Sequence, residues 1–212
     1  MIKRIIFDMD NTLIFWEDEY WKSLNKTLDK LYFNYDQHLI NKLIDAVNIY
    51  EEKYTIYNKE DMLTLMNKYI DQSLPSNFID AWLDELALCI GDDNKEVIDA
   101  LQYLYNKYDL VVLTNWFASS QIKRLENAYM LNYFSHIFGA DSFLMKPNKE
   151  SFLTAIEGYQ TSECLMIGDS LQSDIEGASR IGINVIYYDY KNKNISTKYP
   201  TISTFSQLKD ML

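Results

Sequence analysis

Ile5-Ile6-Phe7-Asp8-Met9-Asp10-Asn11-Thr12-Leu13 is the stretch from which the rest of the chain is read. A short apolar run closed off by polar residues is the habit of a strand buried on both faces, as in parallel sheets. Open parallel sheets carry their ligand crevice beyond the carboxyl ends of the strands. Asp8 and Asp10 therefore fall where a ligand would sit, outside the core. The pattern recurs twice. Leu110-Val111-Val112-Leu113 ends in Thr114-Asn115, and Cys164-Leu165-Met166-Ile167 ends in Gly168-Asp169-Ser170, with Asp174 following. Lys146-Pro147 lies between the two, in a loop ahead of a predicted helix.

Asp8-x-Asp10-x-Thr12, Thr114, Lys146 and Gly168-Asp169-x4-Asp174 resemble, in order and spacing, the four motifs of the haloacid dehalogenase superfamily. One Asp-x-Asp is a weak signal; four motifs at successive strand ends are a strong one. The long gap between the first two motifs is similar to members that insert a helical cap there. The resemblance implies an α/β fold, a Rossmann-like parallel sheet flanked by helices. It also implies a core of residues 1–14 and 92–212 and an inserted four-helix cap domain at 15–91.

Apolar spacing fits that organisation. Leu24, Leu28 and Leu31 mark one helix, and Leu39, Leu43, Ile44, Val47 and Tyr50 a second. Met62, Leu65, Met66, Tyr69 and Ile70 mark a third. Pro75 opens a fourth that carries Phe78, Ile79, Trp82, Leu86 and Leu88. The segment from Leu13 to Glu17 and Gly91-Asp92-Asp93 read as the two hinges. Beyond them helices are expected near 94–107, 118–130, 149–158 and 172–181. They alternate with strands at 110–113, 137–140, 164–167 and 183–187, and a short strand near 200–204 and a helix at 205–211 close the chain. Alternation of this kind implies parallel pairing.

Phosphate-ester hydrolysis needs a nucleophile, a proton donor for the leaving group and neutralisation of the phosphoryl oxygens. Asp8 suits the nucleophile and Asp10 the general acid and base, with Thr12 expected to hold Asp10. Thr114 and the Asn115 backbone would bind phosphoryl oxygens, and Lys146 would supply fixed positive charge. Carboxylates facing a phosphate need a hard cation, and Mg²⁺ prefers one or two carboxylates with water and phosphate oxygens. Asp8 and Asp169 would supply them. The resemblance adds the backbone carbonyl of Asp10 as a further ligand, with Asp174 orienting metal-bound water. Asp10 argues against dehalogenation, because halide departure needs no proton donor. Asn11 stands where many relatives have glycine, and the loop from Gly139 to Lys146 lacks a second glycine.

The 212 residues carry a net charge of −11 with no basic stripe, which excludes a nucleic-acid binder resting on phosphate contacts. No apolar run approaches the length of a membrane span. Cys89 and Cys164 have no metal-ligand spacing, and Cys164 reads as a core residue. A cytoplasmic monomer or homodimer acting on a small phosphorylated metabolite is expected, with neither nucleic acid nor membrane as a partner. Tyr20, Trp21, Trp82 and Trp116 are candidates for substrate contact. Trp116 is the foremost of them because it directly follows Thr114-Asn115; the other three suit the cap core better. The reading is a Mg²⁺-dependent phosphatase working through an aspartyl-phosphate. Two alternatives stand beside it: a sugar phosphomutase, disfavoured by Gly168-Asp169-Ser170 in place of that branch's Glu-Asp pair, and a non-catalytic regulatory binding protein, which would have no need of Asp10.

Overall fold

A computed structural model describes residues 1–15, 19–91, 94–193 and 195–212 of the chain. Its centre is a six-stranded, all-parallel sheet in the order β3-β2-β1-β4-β5-β6. The chain begins with β1 (Arg4–Phe7) and continues into four helices: α1 (Glu19–Lys30), α2 (Gln37–Lys53), α3 (Lys59–Ile70) and α4 (Phe78–Leu86). It returns through α5 (Lys95–Tyr105), β2 (Asp109–Leu113), α6 (Ala118–Asn127), β3 (His136–Phe138) and α7 (Lys149–Ala155). After β4 (Cys164–Gly168) comes a widely wound π-type turn at Leu171–Glu176, running into α8 (Gly177–Ser179). β5 (Asn184–Tyr188), β6 (Thr201–Ile202) and α9 (Leu208–Met211) complete it.

The strands are apolar on both faces, and alternation sorts them into two cores. Ile5, Phe7, Leu110, Val112, Leu165 and Ile167 pack on one side with α5 and α9. Ile6, Val111, Leu113, Cys164 and Met166 pack on the other with α7 and the turns after β4. Cys164 is fully buried in that second core, as expected. Chain direction across the sheet reverses at β1: β2 and β3 lie to one side, β4 to β6 to the other. That reversal opens a crevice at the carboxyl ends of β1, β2 and β4, the strands that precede Asp8, Thr114 and Asp169.

A third core belongs to α1–α4, where Leu24, Leu43, Tyr50, Met66, Phe78 and Trp82 are buried together. Leu28 and Leu39 join it, while Leu31 is only partly buried. Leu88 departs from expectation: α4 stops at Leu86, and Leu88 is exposed in the turn beyond it. Other predicted helices are shorter than their apolar spacing suggested. α6 ends at Asn127 because Tyr129 takes a left-handed φ of 58°. α7 ends at Ala155, ahead of Gly158 at φ 86°.

The insertion rests on the sheet layer at two edges. On one, the Tyr57 amide donates to the Ala140 carbonyl (2.7 Å) and the Met145 amide to Thr55 (2.9 Å). On the other, α6 reaches the end of α4: Ser120 Oγ donates to Leu83 O (3.3 Å), Asn127 Nδ2 to Ala87 O (2.7 Å), and Lys123 pairs with Asp84 (2.5 Å). Phe15 and Gly91 run side by side where the chain enters and leaves the insertion. A Cβ on Gly91 would sit 2.8 Å from the Phe15 carbonyl oxygen, and its φ of 74° favours glycine as well. Glu17 and Asp92-Asp93, read from the sequence as hinge residues, lie outside the described residues.

Candidate active site

Asp8 leaves β1 with its amide bonded to the Ile167 carbonyl of β4 (2.9 Å), so strand pairing carries on to the candidate nucleophile. The chain then turns sharply. The Met9 carbonyl accepts from the amides of Leu13 (2.8 Å) and Ile14 (3.1 Å), and Asn11 takes φ 61°. Asparagine tolerates that left-handed conformation, which is why it serves where glycine would. The turn folds Thr12 back so that its hydroxyl donates to Asp8 Oδ2 (3.3 Å). Thr12 was expected to hold Asp10; it holds Asp8 instead, because the left-handed residue between them redirects the side chain.

Asp10 is held from elsewhere. Gln121 Nε2 donates to its Oδ2 (2.7 Å) and Arg124 Nη1 to its Oδ1 (2.5 Å). Both donors sit one turn apart on α6, and Arg124 is 2% exposed. Arg124 Nε also donates to the Cys89 carbonyl (2.9 Å), in the segment where the insertion returns to the sheet layer. Gln121 Nε2 reaches Thr114 Oγ1 too (3.0 Å). Accepting there leaves the Thr114 hydroxyl hydrogen to donate into the cavity. Neither Gln121 nor Arg124 was singled out from the sequence. On an amphipathic helix they look like ordinary polar positions, and the available signal was their three-residue spacing on the helix that follows Thr114.

Lys146 is buried, and its ammonium lies 2.6 Å from Asp8 Oδ1 and 2.7 Å from Asp174 Oδ1. Asn115 fixes its backbone from both sides: Asn115 Nδ2 donates to Lys146 O (2.9 Å), and Lys146 N donates to Asn115 Oδ1 (2.8 Å). The Lys146-Pro147 peptide is cis. Asn115, expected to contribute a backbone amide, thus also clamps the lysine loop with its side chain.

Asp174 comes off the wide turn after β4 and lies back over the strand end, where Ser170 N donates to its Oδ2 (3.0 Å). Only glycine fits at 168, because a Cβ there would collide with the Asp174 carboxyl. One oxygen from each of Asp8, Asp169 and Asp174 falls within 4.8 Å of the others, a spacing that fits a single cation. The charges press on one another. Burial raises the Asp8 carboxyl well above its ordinary pKa, and Asp174 and Asp169 add to this while Lys146 opposes it. Burial and the neighbouring Asp174 push Asp169 up to about 7. Burial works against the Lys146 ammonium, but Asp174 and Asp8 outweigh it and its pKa is raised. One ammonium among three carboxylates leaves the cluster short of positive charge, and an oxygen-only donor set is what a hard divalent ion takes.

These groups open onto a cavity of about 490 Å³. Its far wall comes from the insertion, through Ile44, Asn48 and Glu51 on one face of α2 and Leu86 of α4. Trp116 lines the cavity, yet it is only 7% exposed and stands edge-on to Tyr57, Trp82 and Phe117. It is both wall and packing. Trp82 is fully buried with its indole N–H on Ser23 Oγ (2.8 Å), which makes it a core residue. Trp21 is more than a third exposed and does not line the cavity. The Tyr20 side chain lies outside the described residues.

A sequence profile of haloacid dehalogenase-like hydrolases matches residues 5–188. A pyrimidine 5'-nucleotidase of Streptococcus pneumoniae is 31% identical over 52% of this chain and 48% of its own length. The chain thus spans about half the length of these curated relatives. Among solved structures, a magnesium-bound HAD-hydrolase of Bacillus subtilis superposes with a TM-score of 0.76 at 20% identity, over 100% of this chain and 98% of that one. A HAD phosphatase of Thermococcus onnurineus gives 0.70 at 21%, over 99% and 97%. At these identities the structural likeness is one of fold.

Proposed function

The chain belongs to the haloacid dehalogenase-like hydrolases, and we propose that it is a Mg²⁺-dependent phosphatase that hydrolyses a small phosphorylated metabolite through a phosphoryl group carried on Asp8. The observation that supports this most directly is the meeting of Asp8, Asp169 and Asp174 around one point, with the Lys146 ammonium 2.6 Å from Asp8. Similarity to a protein named as a nucleotidase and to others named as phosphatases points the same way.

An Asp8 carboxylate oxygen attacks phosphorus, and the bond to the leaving oxygen breaks. Asp10, at the cavity wall, gives that oxygen its proton and the alcohol departs. Water then attacks the phosphorus on Asp8 while Asp10 takes its proton. The Asp8–phosphorus bond breaks and inorganic phosphate leaves. Thr114 donates to a phosphoryl oxygen, and the Lys146 ammonium opposes the burial that raises the Asp8 carboxyl. Asp8, Asp169 and the Asp10 carbonyl would hold Mg²⁺, with Asp174 orienting its water. The ion supplies the positive charge that lets a phosphate dianion approach these carboxylates.

Residues 15–91 act as a cap over a core of 1–14 and 92–212, admitting the leaving group and excluding water when closed. The test is phosphate release from nitrophenyl phosphate by the purified protein with and without Mg²⁺. Release that depends on Mg²⁺ and vanishes in Asp8→Asn supports the reading. Release undiminished by thorough chelation overturns it.

A further inference from the structure

The cavity beside Asp8 is lined by more carboxylates than cations. Among the described residues, five carboxylates line it, from Asp8, Asp10, Glu51, Asp169 and Asp174. Two cations of the described residues face them, and both are engaged. Lys146 lies between Asp8 and Asp174, and Arg124 is 2.5 Å from Asp10. A divalent ion and a phosphate dianion cancel each other, so the rest of the substrate meets a wall that is still negative. The wall beyond the phosphate end is set by α2, where Ile44, Asn48 and Glu51 recur at helical spacing on the cavity side. Glu51 accepts hydrogen bonds and carries negative charge; Asn48 and Asn115 bring amides that donate and accept. Ile44, Leu86 and Trp116 add apolar surface. Residues 16–18 and 92–93 are Trp, Glu, Asp, Asp and Asp, and bring no cation wherever they lie.

Resting on the phosphatase reading, we propose that the site takes a monophosphate ester of an uncharged, hydroxyl-bearing alcohol and rejects esters whose leaving group carries a carboxylate or a second phosphate. Glu51 is the specificity-determining residue. It faces the leaving group rather than the phosphorus, so its charge separates substrates without serving the bond-breaking step. Sugar monophosphates and nucleoside monophosphates share the required chemistry: one phosphate, a neutral body and several hydroxyls.

A matched pair isolates the charge. Glycerol 3-phosphate and 3-phosphoglycerate differ at one end, where a hydroxymethyl replaces a carboxylate. With Mg²⁺ present, kcat/KM should favour glycerol 3-phosphate by about tenfold or more, the effect of one like charge in a partly dry pocket. The inhibition constants of the two against nitrophenyl phosphate hydrolysis should differ in the same direction. Glu51→Gln should narrow the ratio several-fold. Ribose 5-phosphate and a nucleoside 5'-monophosphate, compared beside the pair, show which neutral body fits the cavity. Turnover of nitrophenyl phosphate with 3-phosphoglycerate equal to or better than glycerol 3-phosphate overturns this inference and leaves the phosphatase reading standing. A ratio untouched by Glu51→Gln removes Glu51 from the role and overturns it too. No hydrolysis of nitrophenyl phosphate under any divalent ion overturns the phosphatase reading, and this inference with it.

Discussion

Replacing Arg124 with methionine should uncouple Asp10 from its chemistry. Arg124 is buried, its guanidinium meets Asp10 Oδ1 at 2.5 Å, and its Nε donates to the Cys89 carbonyl at 2.9 Å. Breaking a fully buried ion pair by removing one partner costs about 3–5 kcal/mol. The Asp10 side chain keeps 26% of its surface exposed and retains Gln121, so the loss here falls at or below the bottom of that range, about 2–3 kcal/mol. Losing the hydrogen bond to Cys89 adds about 1 kcal/mol. Methionine has a similar unbranched stem, so packing changes little. Catalysis should suffer more selectively. A general acid is worth roughly 10²–10⁴-fold, and a displacement of about 1 Å can forfeit about 10²-fold. With an alkyl phosphate, kcat/KM, which reports the step that expels the leaving group, should fall about a hundredfold. With nitrophenyl phosphate, whose leaving group scarcely needs a proton, it should fall less than about tenfold. Arg124→Lys keeps the charge without the two-pronged reach and should lie between the two. Steady-state kinetics on both esters, beside thermal melts, decide the matter. Equal losses on the two esters would show that Arg124 supports the fold and leaves Asp10 unmoved.

Three further outcomes follow from the site. Lys146→Met strands Asp8 and Asp174 without their ammonium and should cost about 3–5 kcal/mol. The cost should be largest at alkaline pH, where the Asp8 carboxyl, raised by burial, is charged, and Mg²⁺ should recover part of it; a melting point that falls equally with and without Mg²⁺ contradicts this. Asp169 is pushed up to about 7 in the metal-free protein, so below that pH the cation must displace a proton. Mg²⁺ affinity measured by calorimetry should weaken about tenfold per pH unit below neutrality, with proton release at pH ~6 and little at pH ~8; pH-independent binding would sink the ligand assignment. Trp116→Ala removes a ring packed against Tyr57, Trp82 and Phe117, so it should lower stability by about 3–5 kcal/mol. It should also raise KM for a sugar or nucleoside monophosphate more than for nitrophenyl phosphate; stability lost with the ratio unchanged would make Trp116 packing alone.

The sheet and the strand-end residues were legible because they follow from local pattern. A strand buried on both faces shows as an unbroken apolar run, and the polar residue that ends it marks the crevice, as at Phe7-Asp8 and Gly168-Asp169. The four inserted helices were legible for a similar reason, since Leu39, Leu43, Val47 and Tyr50 repeat at helical spacing. What escaped reading depends on tertiary placement. Arg124 and Gln121 meet Asp10 across more than a hundred residues of chain, and nothing in their own neighbourhood announces it. Thr12 changed partner because Asn11 is left-handed, and a single φ is invisible in a motif. The regular helix expected at 172–181 became a wide turn followed by α8. Gly177 there lies so close to Phe152 that a Cβ would come within 2.9 Å of its ring, and the Asp174 carboxyl lies over Gly168. Packing of that kind overrides apolar spacing.

The proposed reaction requires a phosphoryl group carried on Asp8. Rapid quench of the wild-type protein with Mg²⁺ and a radiolabelled phosphate ester, followed by peptide mapping, tests it directly. Acid-stable, hydroxylamine-labile label is expected on the peptide containing Asp8, and none in Asp8→Asn. Turnover of the same ester with no label on Asp8 under any quench time, or turnover that survives Asp8→Asn, would contradict it.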